Sequence, residues 1–348
     1  MNNVYDNILG LIGNTPMVRL NKVVEDNPAK VFAKLESYNP GHSVKDRIAL
    51  HIIETAEKKG ILTKGATIVE TTSGNTGFSV AMISALRGYK CILAVSDKTK
   101  PEKIAFLKSL GATVYVCPAS VPADDPRSYY EVAKRITAET PNSVYINQYF
   151  NELNVEAHYL TTGKEIWEQT EGKITHLFGC TGTGGTLSGS AKYIKEQNPD
   201  VKIIGVDADG SILKTYHETG KINKDEIHSY QIEGLGKNLI PDTLLFDKID
   251  EFVRVNDENS AYMTREIAIK EAIMGGYTTG AVMQAFKQYS QNHTFAKDDV
   301  VVLIFPDHGS KYMTKVYSDE WMAEMGFTHS DMAKYKDCLL YTSPSPRD

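Results

Sequence analysis

Several features are rare in this sequence or missing from it. Its 348 residues include four cysteines, none at the spacing of a zinc site or a disulfide framework: Cys91, Cys117, Cys180 and Cys338. No apolar stretch approaches membrane-spanning length, and the N-terminus lacks the basic start and apolar core of a signal peptide. A formal charge of -6 gives no basic field for nucleic acid. We therefore expect a cytoplasmic protein that binds no metal, nucleic acid or membrane.

Short apolar runs alternate with amphipathic segments along most of the chain. The pattern predicts strands at 67–70 and 300–305, a helix at 76–86, one long helix at 152–169 and a last helix at 312–325. Strict alternation of strand and helix is typical of crossover units and a parallel sheet. The length allows two domains, with a boundary expected near 148–156, and by pattern alone the first forty residues could join either domain.

Lys45 lies at the junction of a turn and a helix. Pro40 and Gly41 indicate the turn, and apolar residues at helical spacing, including Val44 and Ile48, indicate the helix. A lysine beside an apolar helix face loses part of its hydration, which favours the neutral amine, and a neutral amine can form an imine with a carbonyl cofactor. A solvated surface lysine is the simpler alternative, and only the loops further along the chain argue against it.

Hydroxyl, amide and glycine residues are concentrated at 71–77, between a predicted strand and a predicted helix. Free N–H groups at a helix N-terminus attract anions, and side-chain donors add specificity, so this loop predicts a carboxylate site. The loop consists of Thr71, Thr72, Ser73, Gly74, Asn75, Thr76 and Gly77. Capping of the helix by Ser73 or Asn75 is the alternative, although capping needs only one such residue.

A second loop, at 179–186, is rich in glycine and threonine and again separates a predicted strand from a helix. Its backbone N–H groups and the helix dipole favour phosphate. Leu187 stands where a dinucleotide motif needs a glycine, and no Gly-Lys-Ser/Thr follows, so we expect a single phosphate. We expect it to be held by Gly182, Thr183, Gly184, Gly185 and Thr186. A glycine-rich turn that allows close strand–helix contact is the alternative, but it explains the threonines poorly.

Thr278 belongs to a third loop, Gly275–Gly280, between two helical segments. Its hydroxyl could face a ring nitrogen, and helix capping by Thr278 or Thr279 fits the spacing about as well. An amine, a carboxylate site, a single-phosphate site and this hydroxyl together match pyridoxal 5′-phosphate acting on an amino acid.

Four motifs carry a family resemblance that extends from Leu11 to Phe327. They are Leu-Ile-Gly-Asn-Thr-Pro at 11–16, Ser-Val-Lys-Asp-Arg at 43–47, Thr-Ser-Gly-Asn-Thr-Gly at 72–77 and Gly-Thr-Gly-Gly-Thr at 182–186. The sequence resembles the β-family (fold type II) of pyridoxal-phosphate enzymes, and within it the cystathionine β-synthase and cysteine synthase group. Segments at 232–236 and 306–322 are more similar to cystathionine β-synthase.

The resemblance implies an α/β fold like that of the tryptophan synthase β-subunit, with two domains that each contain a mostly parallel twisted sheet flanked by helices. Residues 1–40 plus 156–330 would form the larger domain, which binds the cofactor phosphate. Residues 41–155 would form the smaller, mobile substrate domain, and 331–348 a disordered or non-native tail.

The resemblance also implies a role for each site residue. Lys45 would hold the cofactor as an imine, Asn75 would hydrogen-bond its ring hydroxyl, and Thr278 falls where the family usually has a serine facing the pyridine nitrogen. The phosphate would lie on Gly182 to Thr186. The substrate carboxylate would be bound by Thr72, Ser73, Asn75, Thr76 and Gln148.

The implied reaction is β-replacement on L-serine or O-acetyl-L-serine with a thiol, with homocysteine giving L-cystathionine as the leading expectation. The alternatives are cysteine synthase using O-acetylserine and sulfide, serine or threonine dehydratase, and a catalytically silent binding protein. Lys237 lies near the expected approach of the second substrate, so the identity of that substrate stays open. The resemblance further implies a homodimer, and we expect no regulation through a haem-binding extension or C-terminal regulatory modules.

Overall fold

A computed structural model describes residues 4–72, 74–122 and 124–327. Two sheets form its framework. The first has six strands in the spatial order β1 (Met17–Arg19), β2 (Lys30–Leu35), β10 (Val300–Phe305), β7 (His176–Cys180), β8 (Lys202–Ala208) and β9 (Glu251–Val255). The second has four in the order β5 (Thr113–Cys117), β4 (Lys90–Ser96), β3 (Thr67–Thr71) and β6 (Ser143–Tyr145). All pairs are parallel except β1 with β2.

Helices flank both sheets. They are α1 (Lys45–Lys58), α2 (Asn75–Arg87), α3 (Pro101–Ser109), α4 (Tyr129–Glu139), α5 (Leu153–His158), α6 (Lys164–Gln169), α7 (Gly185–Gln197), α8 (Leu213–Thr219), α9 (Asp257–Glu271), α10 (Tyr277–Asn292) and α11 (Asp319–Glu324). Short 3-10 helices cover Ile8–Leu11, Glu36–Tyr38, Lys224–Glu226, Phe246–Lys248 and Gly309–Tyr312. Within the described residues, no helix combines the length and apolar character needed to cross a membrane. The predicted α/β class, with mostly parallel sheets flanked by helices, is confirmed.

Each sheet is buried on both faces, because successive strand residues point to opposite sides. In β7, Leu177 packs with α7, and Phe178 packs with α10 on the other side. In β3, Ile68 and Val69 divide in the same way between two apolar clusters. Strands with both faces covered consist of continuous apolar residues, and β10 shows this pattern along its whole length.

The two sheets support the proposed division into a larger and a smaller domain. The first sheet takes its strands from 17–35 and 176–305, and the second from 67–145. Leu9, however, packs in the apolar cluster of the second sheet, together with Ile53 of α1 and Ala157 of α5. The division at 1–40 plus 156–330 and 41–155 therefore stays a proposal, and the predicted tail at 331–348 lies outside the described residues.

Two of the predicted helices differ from the structure, one in its interior and one in its start. The segment 152–169 contains a π-helical turn, Tyr159–Gly163, between α5 and α6. This turn follows His158, which lies 2.9 Å from Thr162 Oγ1 through Nδ1, and apolar periodicity does not reveal the extra residue. The predicted helix at 312–325 is wrong over its first half, because Ser318 caps a helix that begins only at Asp319.

A largely buried ion-pair network fixes the start of α1. Arg47 Nε lies 2.7 Å from Glu36 Oε2, and Arg47 Nη1 lies 2.6 Å from Glu165 Oε1. Glu165 also pairs with Lys34 at 2.7 Å, and Thr15 donates to Glu36. Although burial by itself raises the pKa of Glu165, the hydrogen bonds and charges of Arg47 and Lys34 lower it to about 2. The network ties β2, the turn after it, α1 and α6 together.

Replacement of Arg47 should destabilise the folded protein, because Arg47 is the central cation of this network. In Arg47→Met the fully buried carboxylate of Glu36 loses its cation, and we expect the free energy of unfolding to fall by about 3–5 kcal/mol. Urea unfolding measures this change. Lys134→Met, which removes the exposed partner of Glu131, is the matched control and should leave the midpoint nearly unchanged. Equal midpoints for the two variants would contradict the role given to Arg47.

Candidate active site

Lys45 is the first residue of α1, as the sequence predicted. Burial lowers the pKa of its amine to about 8; the carboxylate of Asp307 opposes this shift and the charge of Lys237 adds to it. A lysine is normally protonated at neutral pH, because its usual pKa is near 10.5. Here a substantial fraction is the neutral amine, which is the reactive form.

The glycine-rich loop joins the carboxyl end of β7 to the first turn of α7. Gly184 has φ +88°, in the left-handed region. A Cβ at Gly182 would lie 2.3 Å from the carbonyl oxygen of Gly234, and one at Gly185 would lie 2.1 Å from Asn154 Oδ1. Side chains are therefore excluded, and α7 begins without a side-chain cap in the described structure. Uncapped N–H groups in a glycine cradle fit a phosphate.

Side chains behind this loop hold it in place. Asn154 Nδ2 donates to Thr183 Oγ1 at 3.2 Å, and Thr243 Oγ1 donates to the carbonyl of Thr183 at 2.6 Å. Thr186 Oγ1 lies 3.1 Å from His158 Nε2. Burial, with the charges of Arg47 and Lys45, lowers the pKa of His158 well below its usual value, so its ring is neutral. The cradle is thus preorganised by neutral hydrogen bonds.

The predicted carboxylate loop joins β3 to α2. Thr76 Oγ1 donates to Gln148 Oε1 at 2.8 Å, and both side chains are buried. Thr72 Oγ1 accepts from the backbone N–H of Gly74 at 3.2 Å. The structure therefore brings Thr76, in the first turn of α2, to Gln148, which follows β6. Ser73 lies outside the described residues.

Asn75 does not cap α2; that helix starts after Gly74 without a side-chain cap among the described residues. Its Nδ2 donates to Asp307 Oδ2 at 2.9 Å, and its Oδ1 accepts from Lys311 Nζ at 2.5 Å. Tyr312 also donates to Asp307 Oδ2, at 2.8 Å. The amide is therefore held in one orientation, with one N–H of Nδ2 left for another acceptor.

Asp307 is a functional candidate that sequence reasoning missed. It is fully buried, burial raises its pKa above the usual range, and its Oδ1 has no partner among the described residues. Its backbone pairs with Ser43, two residues before Lys45. Asp307 follows the carboxyl end of β10, where parallel α/β sheets place their ligands, and that position was the available signal.

Thr278 is buried in the first turn of α10. The N-cap of α10 is Gly276 and no side chain caps it in the described structure, so capping by Thr278 or Thr279 is not observed. Cys180, at the end of β7, donates its thiol to the carbonyl of Thr278 at 3.4 Å. Burial raises the pKa of the Cys180 thiol, and the charge of Lys45 opposes that shift, so the amine acts on the residue that contacts Thr278.

These contacts bring a partly neutral amine, a glycine cradle with uncapped N–H groups, a fixed amide and a buried hydroxyl near the carboxyl ends of the parallel strands. The set fits a cofactor that carries a carbonyl, one phosphate and a ring with polar substituents. No cluster of three histidine, cysteine or acidic residues suited to a metal occurs in the described part of the chain.

Comparison with known proteins identifies the family. A family model described as pyridoxal-phosphate dependent enzyme matches residues 8–307. The chain is 38% identical over 347 residues to cystathionine β-synthase of Saccharomyces cerevisiae, covering 97% of this chain and 68% of that protein. It is 38% identical over 316 residues to cysteine synthase of Staphylococcus aureus, covering 90% of this chain and 97% of that protein.

A solved structure supports the same conclusion. The crystal structure of O-ureido-L-serine synthase superposes with a TM-score of 0.82 at 30% identity, covering 92% of this chain and 99% of that one. The chain spans 58% to 68% of the length of six cystathionine β-synthases that it matches. The family and the cofactor expected from the motifs are confirmed: the chain belongs to the pyridoxal-phosphate dependent enzymes.

Proposed function

We propose that the chain catalyses β-replacement on L-serine or O-acetyl-L-serine, with homocysteine as the thiol and L-cystathionine as the product. The observation that carries this proposal is the amine of Lys45, whose pKa is lowered to about 8 by burial. Its charge acts on His158, which contacts Thr186 of the glycine cradle, and on Cys180, which contacts Thr278. The relatives named cystathionine β-synthase and cysteine synthase support the same reaction type.

In this proposal four groups of the chain hold the cofactor. Lys45 would bind it covalently, Gly182 to Thr186 would receive the phosphate, Thr278 would interact with the ring nitrogen, and the free N–H of Asn75 would donate to the ring hydroxyl. When bound, pyridoxal phosphate supplies an aldehyde for covalent attachment and a ring that withdraws electrons from the α-carbon of an amino acid. The substrate carboxylate is bound by Thr72, Ser73, Asn75, Thr76 and Gln148.

Lys45 is the proposed general base. Once a substrate amine has taken its place on the cofactor, the freed Nζ would remove the α-proton of the amino acid and would return a proton to the same carbon after the thiol has replaced the β-substituent. With a pKa of about 8, roughly a quarter of such amines are neutral at pH 7.5, whereas about one in a thousand is neutral for an ordinary lysine. Burial of Lys45 therefore raises the concentration of the competent base by more than two orders of magnitude.

Thr278 directs the outcome of proton removal. It presents a neutral hydroxyl where a carboxylate would enforce a positive charge on the facing nitrogen. Weaker electron withdrawal limits the build-up of negative charge on the α-carbon, which favours loss of the β-substituent over racemisation or transamination. The hydrogen bond between Thr76 and Gln148 keeps the carboxylate loop against the second sheet, where it helps to exclude water.

Cysteine synthase activity is the second candidate function. It is favoured by the similarity to cysteine synthase of Staphylococcus aureus, to which the chain is 38% identical over 316 residues. A homodimer and a cytoplasmic location complete the proposal, and both stay predictions from the sequence.

A product assay separates the candidates. The purified protein is incubated with serine or O-acetylserine, each combined with homocysteine or sulfide, and the products are identified by mass spectrometry. We expect cystathionine as the main product, since the proposed reaction replaces the β-substituent of the first substrate with homocysteine. Cysteine formed preferentially from O-acetylserine and sulfide would select the second candidate. Keto acid and ammonia without thiol incorporation would contradict β-replacement.

The glycine cradle has its own test. Because the carbonyl oxygen of Gly234 lies 2.3 Å from where a new Cβ would stand, Gly182→Ala forces the loop to move. We expect the affinity of the cofactor-free protein for pyridoxal phosphate to fall at least about tenfold, measured by fluorescence titration.

The matched control for Gly182→Ala is Gly60→Ala. This glycine lies in a turn with open space around its α-carbon, and its φ of +69° disfavours alanine there as well. The control should lose some stability without losing cofactor affinity. Unchanged affinity for pyridoxal phosphate in Gly182→Ala would contradict the assignment of the phosphate site to this loop.

A further inference from the structure

Lys237 is a partly buried cation that lacks an acidic partner. Its Nζ donates to Tyr149 Oη at 3.1 Å and lies 4.9 Å from the centre of the Tyr149 ring. Although burial by itself lowers the pKa of Lys237, the contact with Tyr149 raises it above its usual value, so the amine is charged. No carboxylate forms a salt bridge with it anywhere in the described ranges. A partly buried ammonium without an acidic partner is costly, and binding of an anionic ligand group would offset that cost.

The acidic residue of the same loop is already engaged. Glu233 lies 2.9 Å from Lys103 of α3 through Oε2, and it also pairs with Lys315 through Oε1. Glu233 therefore already has a cationic partner on each of its carboxylate oxygens. Its carboxylate is therefore not available to Lys237, whose polar side-chain contact is the hydroxyl of Tyr149.

The position of Lys237 is fixed beside the reacting groups. Its backbone N–H donates to Ser211 Oγ at 2.8 Å, and the N–H of Gly236 donates to the carbonyl of Thr181 at 2.8 Å, next to the phosphate cradle. Tyr149 directly follows Gln148 of the carboxylate site. The charge of Lys237 also reaches Lys45, whose pKa it helps to lower. The pair therefore lies at the edge of the active site, between the cradle and the carboxylate loop.

Lys237 and Tyr149 together present hydrogen-bond donors to this edge. Lys237 uses one of its three N–H groups on Tyr149, and because Tyr149 accepts that bond, its own O–H proton stays free to donate. An ammonium and a hydroxyl side by side match the two oxygens of a carboxylate better than the single atom of a thiolate or sulfide.

We propose that Lys237 and Tyr149 form the second-substrate subsite and bind the carboxylate of the incoming nucleophile. The enzyme would then select thiols that carry a carboxylate, a class that includes homocysteine and excludes sulfide. This inference rests on the proposed β-replacement and specifies its second substrate.

The test compares two thiols that differ only in charge. The holoenzyme is assayed with 3-mercaptopropionate and with its neutral amide, 3-mercaptopropionamide, against a saturating first substrate. In Lys237→Met we expect kcat/KM for the carboxylate thiol to fall roughly 10- to 100-fold, as for loss of a charged hydrogen bond, and kcat/KM for the amide to change by less than about threefold. Tyr149→Phe should show a smaller loss with the same discrimination.

Two control variants guard against a merely structural effect. Lys237→Arg keeps the charge and should retain most of the preference for the carboxylate thiol. Lys192→Met removes another lysine that lies over a tyrosine ring, 5.1 Å from the centre of Tyr159, but on the exposed face of α7. It should change neither rate.

Three results would overturn the proposal. An equal loss for both thiols in Lys237→Met would mean that the lysine does not read the carboxylate. A raised KM for serine or O-acetylserine in that variant would assign Lys237 to the first substrate. A wild-type preference for sulfide that disappears in Lys237→Met would assign it to the reacting sulfur.

An equilibrium measurement keeps the inference separate from the proposed reaction. Binding of 3-(methylthio)propionate, an unreactive analogue, is compared with binding of its amide by calorimetry. We expect the wild type to bind the acid more tightly, and we expect Lys237→Met to lose that difference. If no thiol is incorporated but this charge preference holds, the proposed reaction fails and the subsite stands. Equal affinity for acid and amide in the wild type would refute the subsite.

Discussion

The cost of burying a charged amine at the start of α1 governs the rest of the site. Lys45 is the first residue of that helix, where the helix dipole also disfavours a positive charge. Burial dominates the shift of its pKa, Lys237 adds to it, and Asp307 keeps it from falling further. An amine with a pKa of about 8 can serve both as a nucleophile toward a carbonyl and as a base. The other candidate residues serve to orient what that amine reacts with.

The chain keeps Lys45 in place through groups that are distant in sequence. Arg47, which is buried two residues after Lys45, pairs with Glu36 and Glu165 and so fixes the first turn of α1 against the end of β2 and α6. On the other side the backbone of Asp307 pairs with Ser43. Covalent attachment of a cofactor requires this rigidity, since the same side chain must later move a proton at a defined carbon.

Sequence reasoning reached the loops better than the contacts between them. The carboxylate and glycine loops were located because each follows an apolar strand and precedes a helix, a local pattern that β3–α2 and β7–α7 reproduce. The clamp on Asn75 was missed, because its partner Asp307 lies 232 residues away and only the folded chain brings them together. Tyr149 was missed for the same reason: its importance comes from Lys237, 88 residues further on. The start of α11 at Asp319 depends on a local cap by Ser318, which apolar periodicity over 312–325 does not show.

The most direct test of the account is to locate the covalent bond between cofactor and protein. The holoenzyme is reduced with borohydride, digested, and mapped by mass spectrometry for the peptide that carries the reduced pyridoxyl group. We expect the group on Lys45 alone, with its visible absorption lost on reduction. A label on another lysine, or protein that binds pyridoxal phosphate without any reducible link, would contradict the central role given to this amine.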